Sequence, residues 1–236
     1  MLFRSLGDVI PASEKPEDID AARKAMLNED TKSLWAAAWW MNPVVFGRYP
    51  EQGIAAYGEN FPKEILNEED LKIISEPLDF LGVNAYRSGR VESDGQGGFR
   101  PVRDPQGCAR TAIKWPVTPE TLYYTPKFLY EKYKLPIVIT ENGISSLDWV
   151  CLDGKVHDTM RIDFMHRYLR CLRKAVDDGV DIRGYFSWTA IDNMEWNNGY
   201  TERFGLIYVD FITQQRVLKD SAYWYRDVIQ SNGEKL

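Results

Sequence analysis

Residues 136–143 read Pro-Ile-Val-Ile-Thr-Glu-Asn-Gly. A short apolar, β-branched run ends in Thr140, Glu141, Asn142 and Gly143. Such a run reads as a buried parallel strand that delivers one carboxylate at its C-terminal tip. That edge of a (β/α) barrel is where its chemistry sits. Taken alone, Glu-Asn-Gly is more often a surface turn than a site. The meaning of Glu141 therefore rests on what surrounds it.

Two further apolar runs resemble this strand, at residues 78–86 and 182–190. Helices separate them. Residues 16–26 open on Pro16, Glu17 and Asp18, the residue types that helix N-termini favour. Residues 34–41 form an aromatic helix, and Asn67 caps a helix over residues 68–74. Residues 93–98, rich in glycine, make a hairpin tip or loop and lead into no helix, which argues against a phosphate cradle. Thr118-Pro119-Glu120 starts another helix that Pro126 should break or kink. Asp158 caps an amphipathic helix in which Ile162, Met165, Leu169, Leu172 and Val176 recur at helical spacing, and Gly179 stops it. An apolar run over residues 204–210 precedes a last helix at 221–229.

Strands alternating with helices mean parallel βαβ units, an α/β fold. No linker or repeat divides the chain, so residues 1–236 read as a single domain. A closed eight-stranded barrel needs about 250 residues. Length permits one, but only three strong core strands are present, with a fourth expected within residues 1–6.

The net charge of −6 argues against a nucleic-acid partner, which needs clustered Lys and Arg. Aromatic residues reach 13%, including 8 Trp, enough for core filling and for the flat platforms on which sugar rings stack. Cys108, Cys151 and Cys171 are odd in number, lack metal spacing and read as free thiols in a reducing compartment. No signal-peptide run or membrane-length apolar stretch occurs, so a cytoplasmic protein without membrane partners is expected.

The three strand ends carry Asn84 with Tyr86, Glu141 with Asn142, and Ser187 with Trp188. In a parallel sheet these tips share one edge, where a Tyr86 hydroxyl can hold and orient Glu141. The polar loop at residues 191–200 adds a second carboxylate, Glu195, beside the Trp196 indole. Singly, each has a structural reading: Tyr86 as a core tyrosine, Asn142 as a turn former, Glu195 and Trp196 as a solvent loop. Gathered at strand ends, they point to carboxylate chemistry on a sugar. A retaining glycosidase uses a glutamate of this kind as nucleophile. No metal or organic cofactor is required for it.

At these residues the chain resembles glycoside hydrolase family 1, the retaining β-glucosidases. The similar segments are Pro11-Ala-Ser13 with Pro16-Glu-Asp18, residues 78–84, Ile139-Thr-Glu-Asn-Gly143, Arg161-Ile-Asp163, Ser187-Trp188, Asp192-Asn193 with Glu195-Trp196, Arg203-Phe-Gly205 and residues 219–225. They span almost the whole chain in family order. The resemblance implies that Glu141 is the nucleophile and Tyr86 its hydrogen-bond partner, with Asn84 in the same pocket. It implies that Trp188 floors the sugar site, that Glu195 and Trp196 hold the outer hydroxyls of the non-reducing sugar, and that Phe204 belongs to the wall. Relatives acting on 6-phosphorylated sugars carry Ser where this chain has Glu195, so an unphosphorylated β-glucoside or oligosaccharide is the expected substrate.

The chain departs from the family pattern in one decisive respect. The acid/base carboxyl of the family lies in an Asn-Glu-Pro motif on the fourth strand, and no Asn-Glu-Pro occurs here. Asn67-Glu68-Glu69 opens a helix, and Glu59 precedes Asn60 in the wrong order. The family's first-half sugar-binding Gln and His-Trp pair are missing too; His157 and His166 are the only histidines. Ala85 and Met194 replace aromatic residues common in the family. The chain thus resembles the C-terminal half of a (β/α)8 TIM barrel, about strands five to eight with their helices. Cutting a barrel exposes two sheet edges, so an N-terminal half-barrel or a homodimer partner is expected to cover them. Two functions compete: the nucleophile half of a β-glucosidase, or an inactive half-barrel serving as scaffold or sugar-binding module. A complete small barrel of another enzyme class fits the motif order poorly.

Overall fold

Ile137 and Ile139 have no solvent exposure, and Leu81 and Val83 beside them have almost none. These residues line one face of a parallel strand pair, while Val138 and Thr140 on the other face of β5 are half-buried. The computed structural model describes residues 7–236; the strand expected within residues 1–6 lies outside them. The elements are β1 (Val9–Pro11), α1 (Pro16–Met26), α2 (Ala37–Phe46), α3 (Glu51–Tyr57), α4 (Glu68–Ile74), β2 (Leu81–Asn84), β3 (Gly89–Ser93) and β4 (Phe99–Val102). They continue with α5 (Thr121–Tyr133), β5 (Ile137–Asn142), α6 (Thr159–Asp177), β6 (Ile182–Ser187), β7 (Ile207–Val209), β8 (Arg216–Leu218) and α7 (Asp220–Gln230).

The three expected core strands form one parallel sheet in the order β2-β5-β6. Val83 pairs with Ile139, Asn84 with Glu141, and Asn142 with Ser187, so the three C-terminal tips do share an edge. Beside it, β1 runs parallel to β3, and β3 turns back into β4 through the expected glycine-rich tip. The β7–β8 hairpin was not evident from the sequence. This is a partial α/β fold. Among the described residues, β2 and β6 each lack a strand on their outer side, and Phe186 on β6 is 61% exposed.

The helix α6 buries Phe164, Met165, Tyr168, Leu169 and Leu172 along one face. Each such side chain contributes roughly 1.5–3 kcal/mol relative to exposure. Three local expectations need correction. The aromatic helix starts at Ala37 rather than 34, because Ala36 is extended, and it runs through Pro43 to a left-handed Gly47. Pro126 does not break α5, which continues from Thr121 to Tyr133. Complete burial of Leu122, Phe128 and Leu129 outweighs the roughly 3 kcal/mol that an internal proline costs. Asp158 precedes α6, but its side chain caps no backbone of that helix. It accepts instead from the Ser221 N–H at 2.8 Å and pairs with Arg161, clamping α6 to the start of α7.

A buried charge network ties the loops at the sheet edge. Lys219 has no exposure, and its Nζ donates to Asp148 Oδ2 (2.6 Å) and Asp192 Oδ1 (2.9 Å). Arg161 pairs with the same Asp148, and Arg203 Nη1 donates to Asp192 Oδ2 at 2.6 Å. Asp148 follows β5, Asp192 follows β6, and Lys219 precedes α7, so one cluster fixes three connections. No described helix is long and apolar enough to cross a membrane.

Removing one member leaves buried charges unpaired, so Lys219→Met should lower stability by about 3–5 kcal/mol in denaturant titration. A second prediction concerns Asp8, whose Oδ1 is buried without a hydrogen-bond partner among the described residues. Desolvation pushes its carboxyl up from 3.8 to about 8, against smaller opposing effects of Thr125 and Arg87. The folded chain therefore holds a proton that the unfolded chain releases above about pH 4. Stability from this group is complete below that pH and is lost by about 1.4 kcal/mol per unit as pH rises toward 8. Unfolding curves of Asp8→Asn at pH 5 and 7 should show this slope removed.

Candidate active site

Strand β5 ends by presenting Glu141 and Asn142 to opposite partners. Asn142 is fully buried: its Nδ2 donates to the Ala85 carbonyl at 2.7 Å, and its Oδ1 accepts from the Tyr185 hydroxyl at 2.9 Å. It is a tie between all three parallel strands. Glu141, half-buried, accepts from the Tyr86 hydroxyl through Oε2 at 2.7 Å. Among the described residues Tyr86 is the sole hydrogen-bond donor to this carboxylate. Burial raises the Tyr86 phenol far above its ordinary value, and the Glu141 hydrogen bond, the Glu141 charge and the Glu195 charge add to it. Tyr86 is therefore a permanent donor and never a competing base.

Asn84 stands at the tip of β2 and accepts from Thr140 Oγ1 at 2.7 Å, next to Glu141. Trp188 follows β6, where its N–H donates to the Asn142 carbonyl at 2.7 Å, and the peptide bond after it is cis. Its own carbonyl presses on Gly143: a Cβ there would come within 1.8 Å of it. Only glycine admits that approach, so the Gly of the Glu-Asn-Gly run is a packing requirement between two strand ends. Gly205 is the same case, since a Cβ would lie 2.2 Å from the Asp192 nitrogen.

Glu195 is half-buried, and desolvation raises its carboxyl above the usual range. The Trp188 side chain, in hydrogen-bonding reach, acts against that rise, whereas the charges of Glu141 and Glu202 add to it. Four of the expected residues, Tyr86, Glu141, Trp188 and Glu195, are thus linked through hydrogen bonds or charge, and Asn84 lies beside them through Thr140. Phe204 joins through an edge contact to Tyr86, with ring centroids 6.3 Å apart. Trp196 lies apart: it is 80% exposed and has no ring contact with another aromatic among the described residues.

Sequence reading missed Trp115. Its ring meets Tyr86 at 5.6 Å and Phe204 at 6.2 Å, closing an aromatic triangle, and the Arg87 guanidinium lies 5.5 Å from its centroid. It sits in a loop between β4 and α5 with no strand pattern to betray it. A cavity of about 300 Å³ opens beside Tyr86, lined also by Asn84, Arg87 and Trp115. A carboxylate with one oxygen held by a neutral phenol, next to that aromatic triangle and close enough to a second carboxylate to feel its charge, is suited to attack on an electrophilic carbon flanked by hydroxyls.

Comparison with known proteins shows the family of the chain. The model of Glycosyl hydrolase family 1 matches residues 4–234. The chain is 40% identical over 227 residues to Beta-glucosidase A of Acetivibrio thermocellus, covering 94% of this chain and 49% of that protein. It is 37% identical over 221 residues to a beta-glucosidase of Agrobacterium sp., covering 92% and 46%. The solved beta-glucosidase of Thermotoga maritima in complex with deoxynojirimycin superposes with a TM-score of 0.79 at 38% identity, over 98% of this chain and 50% of that one. The chain spans about half the length of the curated relatives it matches. With its nearly complete match to the family model, the chain belongs to glycosyl hydrolase family 1.

Proposed function

We propose that this chain supplies the nucleophile side of a retaining β-glucosidase site, working with a second half-barrel that supplies the acid/base carboxyl. The single observation that carries this reading is the 2.7 Å hydrogen bond from Tyr86 to Glu141 at the C-terminal edge of the parallel sheet. Glu141 attacks the anomeric carbon of a terminal non-reducing β-D-glucosyl residue, forming a glycosyl-enzyme ester as the aglycone leaves. Water then cleaves that ester, which retains the anomeric configuration. Tyr86 restrains one carboxylate oxygen and leaves the other to react. Trp188 and Phe204 shape the apolar side of the pocket, and Glu195 and Asn84 accept hydrogen bonds from sugar hydroxyls. Trp196 joins them when its loop is covered. The negative charge of Glu195 disfavours a 6-phosphorylated sugar.

Retention needs two carboxyl groups about 5–5.5 Å apart. The sequence holds no Asn-Glu-Pro, so this chain contributes the nucleophile and the partner half contributes the proton donor. Among the described residues β2 and β6 have no strand on their outer sides, which supports an N-terminal half-barrel as that partner; a second copy of this chain would cover the edges without supplying the proton donor. A second reading rests on the same missing motif: an inactive half-barrel that self-associates as a scaffold or sugar-binding module.

Mixing separates the two readings. With a separately prepared half carrying Asn-Glu-Pro, aryl β-glucoside hydrolysis should appear, and Glu141→Gln should lower it about a thousandfold or more. A folded but inert mixture would support the scaffold reading. The chain alone should turn over cellobiose negligibly, because loss of general acid catalysis costs about 10²–10⁴-fold before any loss of sugar contacts. In the active mixture, Tyr86→Phe removes a hydrogen bond to a charged group, worth about 1.5–3 kcal/mol, so kcat should fall roughly 10- to 100-fold.

A further inference from the structure

The loop between β5 and α6 carries a side-chain cluster that the glycosidase reading does not use. Cys151, Asp153 and His157 each turn a ligand atom to one place, and these atoms lie within 4.8 Å of one another. The turn that presents them is preformed. Cys151 N–H donates to the Lys155 carbonyl at 2.7 Å, Gly154 N–H to the Cys151 carbonyl at 2.9 Å, and Gly154 takes φ +80°. Asp153 Oδ1 accepts from the Lys155 N–H at 3.1 Å, which aims Oδ2 at His157 Nε2, 3.0 Å away. The other ring nitrogen, Nδ1, lies 2.6 Å from Asp220 Oδ2 at the start of α7.

This geometry has a chemical consequence. An imidazole that donates Nδ1–H to Asp220 presents a lone pair at Nε2. Two acceptors, Nε2 and Asp153 Oδ2, then face each other and require a cation between them. A proton serves. A metal ion serves equally, and Cys151 decides its class: thiolate, imidazole and carboxylate together suit zinc rather than calcium or magnesium. The carboxylate behind the imidazole is the outer-shell partner that metal-bound histidines ordinarily have. Bonds of about 2.0–2.3 Å in tetrahedral geometry place ligand atoms roughly 3.3–3.7 Å apart. Side-chain adjustments of about 1 Å are enough to close the cluster on the ion.

We propose that Cys151, Asp153 and His157 form a binding site for a zinc-class divalent ion, with Asp220 orienting the imidazole and water completing the shell. The ion joins the loop after β5 to the start of α7, outside the sugar pocket. Exposure of Asp153 and His157 makes the site exchangeable rather than permanently filled.

Cobalt titration of the full 236-residue chain tests it. The expected result is a thiolate-to-cobalt charge-transfer band with visible bands of tetrahedral intensity, both removed by zinc. Cys151→Ser should abolish the charge-transfer band, His157→Ala should weaken cobalt affinity at least about a hundredfold, and Asp220→Asn should weaken it about tenfold, as loss of an outer-shell partner does. Cys108→Ser should leave the band unchanged, and circular dichroism should report the same fold for every variant. Absence of the band in the parent chain would overturn the proposal. So would a band that survives in Cys151→Ser, or equal cobalt affinity in His157→Ala.

Discussion

A lysine without solvent exposure organises the functional edge of this molecule. Lys219 bonds both Asp148 and Asp192, and through them reaches Arg161 and Arg203. Desolvation and the nearby Arg161 lower the Lys219 ammonium below its ordinary value, and the two carboxylates oppose that. Burying four charges beside the half-buried Arg203 is costly unless every one is paired, and here every one is. Such a cluster tolerates little displacement of its members. It therefore fixes the loop after β5, the loop after β6 and the approach to α7 relative to one another. Glu141 stands just before the first of these loops, and Trp188, Glu195 and Phe204 lie around the second. The site is precise because its flanking loops share one charge cluster.

Strand identity was legible because β5 and β6 are compact apolar runs that end in polar residues, although only β5 buries residues fully. The proline and acids that open α1 and the helical spacing of Met165, Leu169 and Leu172 in α6 were legible too, whereas Val176 of that spacing is exposed. Glu141, Tyr86, Asn84 and Trp188 were legible as strand-end residues for the same reason. What escaped depends on contacts far apart in sequence. Lys219 and Asp148 meet across 71 residues, and Asp158 meets Ser221 across 63. No local pattern marks a lysine as buried or an aspartate as reaching past its own helix. Trp115 escaped because it lies in irregular backbone. The helix α5 passes through Pro126 because packing outweighs local propensity.

Among the described residues β2 and β6 have no strand on their outer sides, and the sequence holds no Asn-Glu-Pro. A parallel sheet is stable when covered on both faces, and among the described residues these three strands leave two edges unpaired and Phe186 exposed. In the proposed reading one partner meets both needs: it closes the sheet and brings a second carboxyl opposite Glu141. A partner that satisfied only one of these needs would leave either an inert barrel or an exposed edge.

The account turns on covalent attack by one glutamate, and covalent capture tests it most directly. The chain, combined with a half that carries the acid/base motif, is exposed to an activated 2-fluoro β-glucoside that forms the glycosyl ester quickly and releases it slowly. Peptide mapping by mass spectrometry then locates the sugar. The account predicts a single ester at Glu141, lost in Glu141→Gln. Hydrolysis by the same mixture with the sugar attached elsewhere would contradict it.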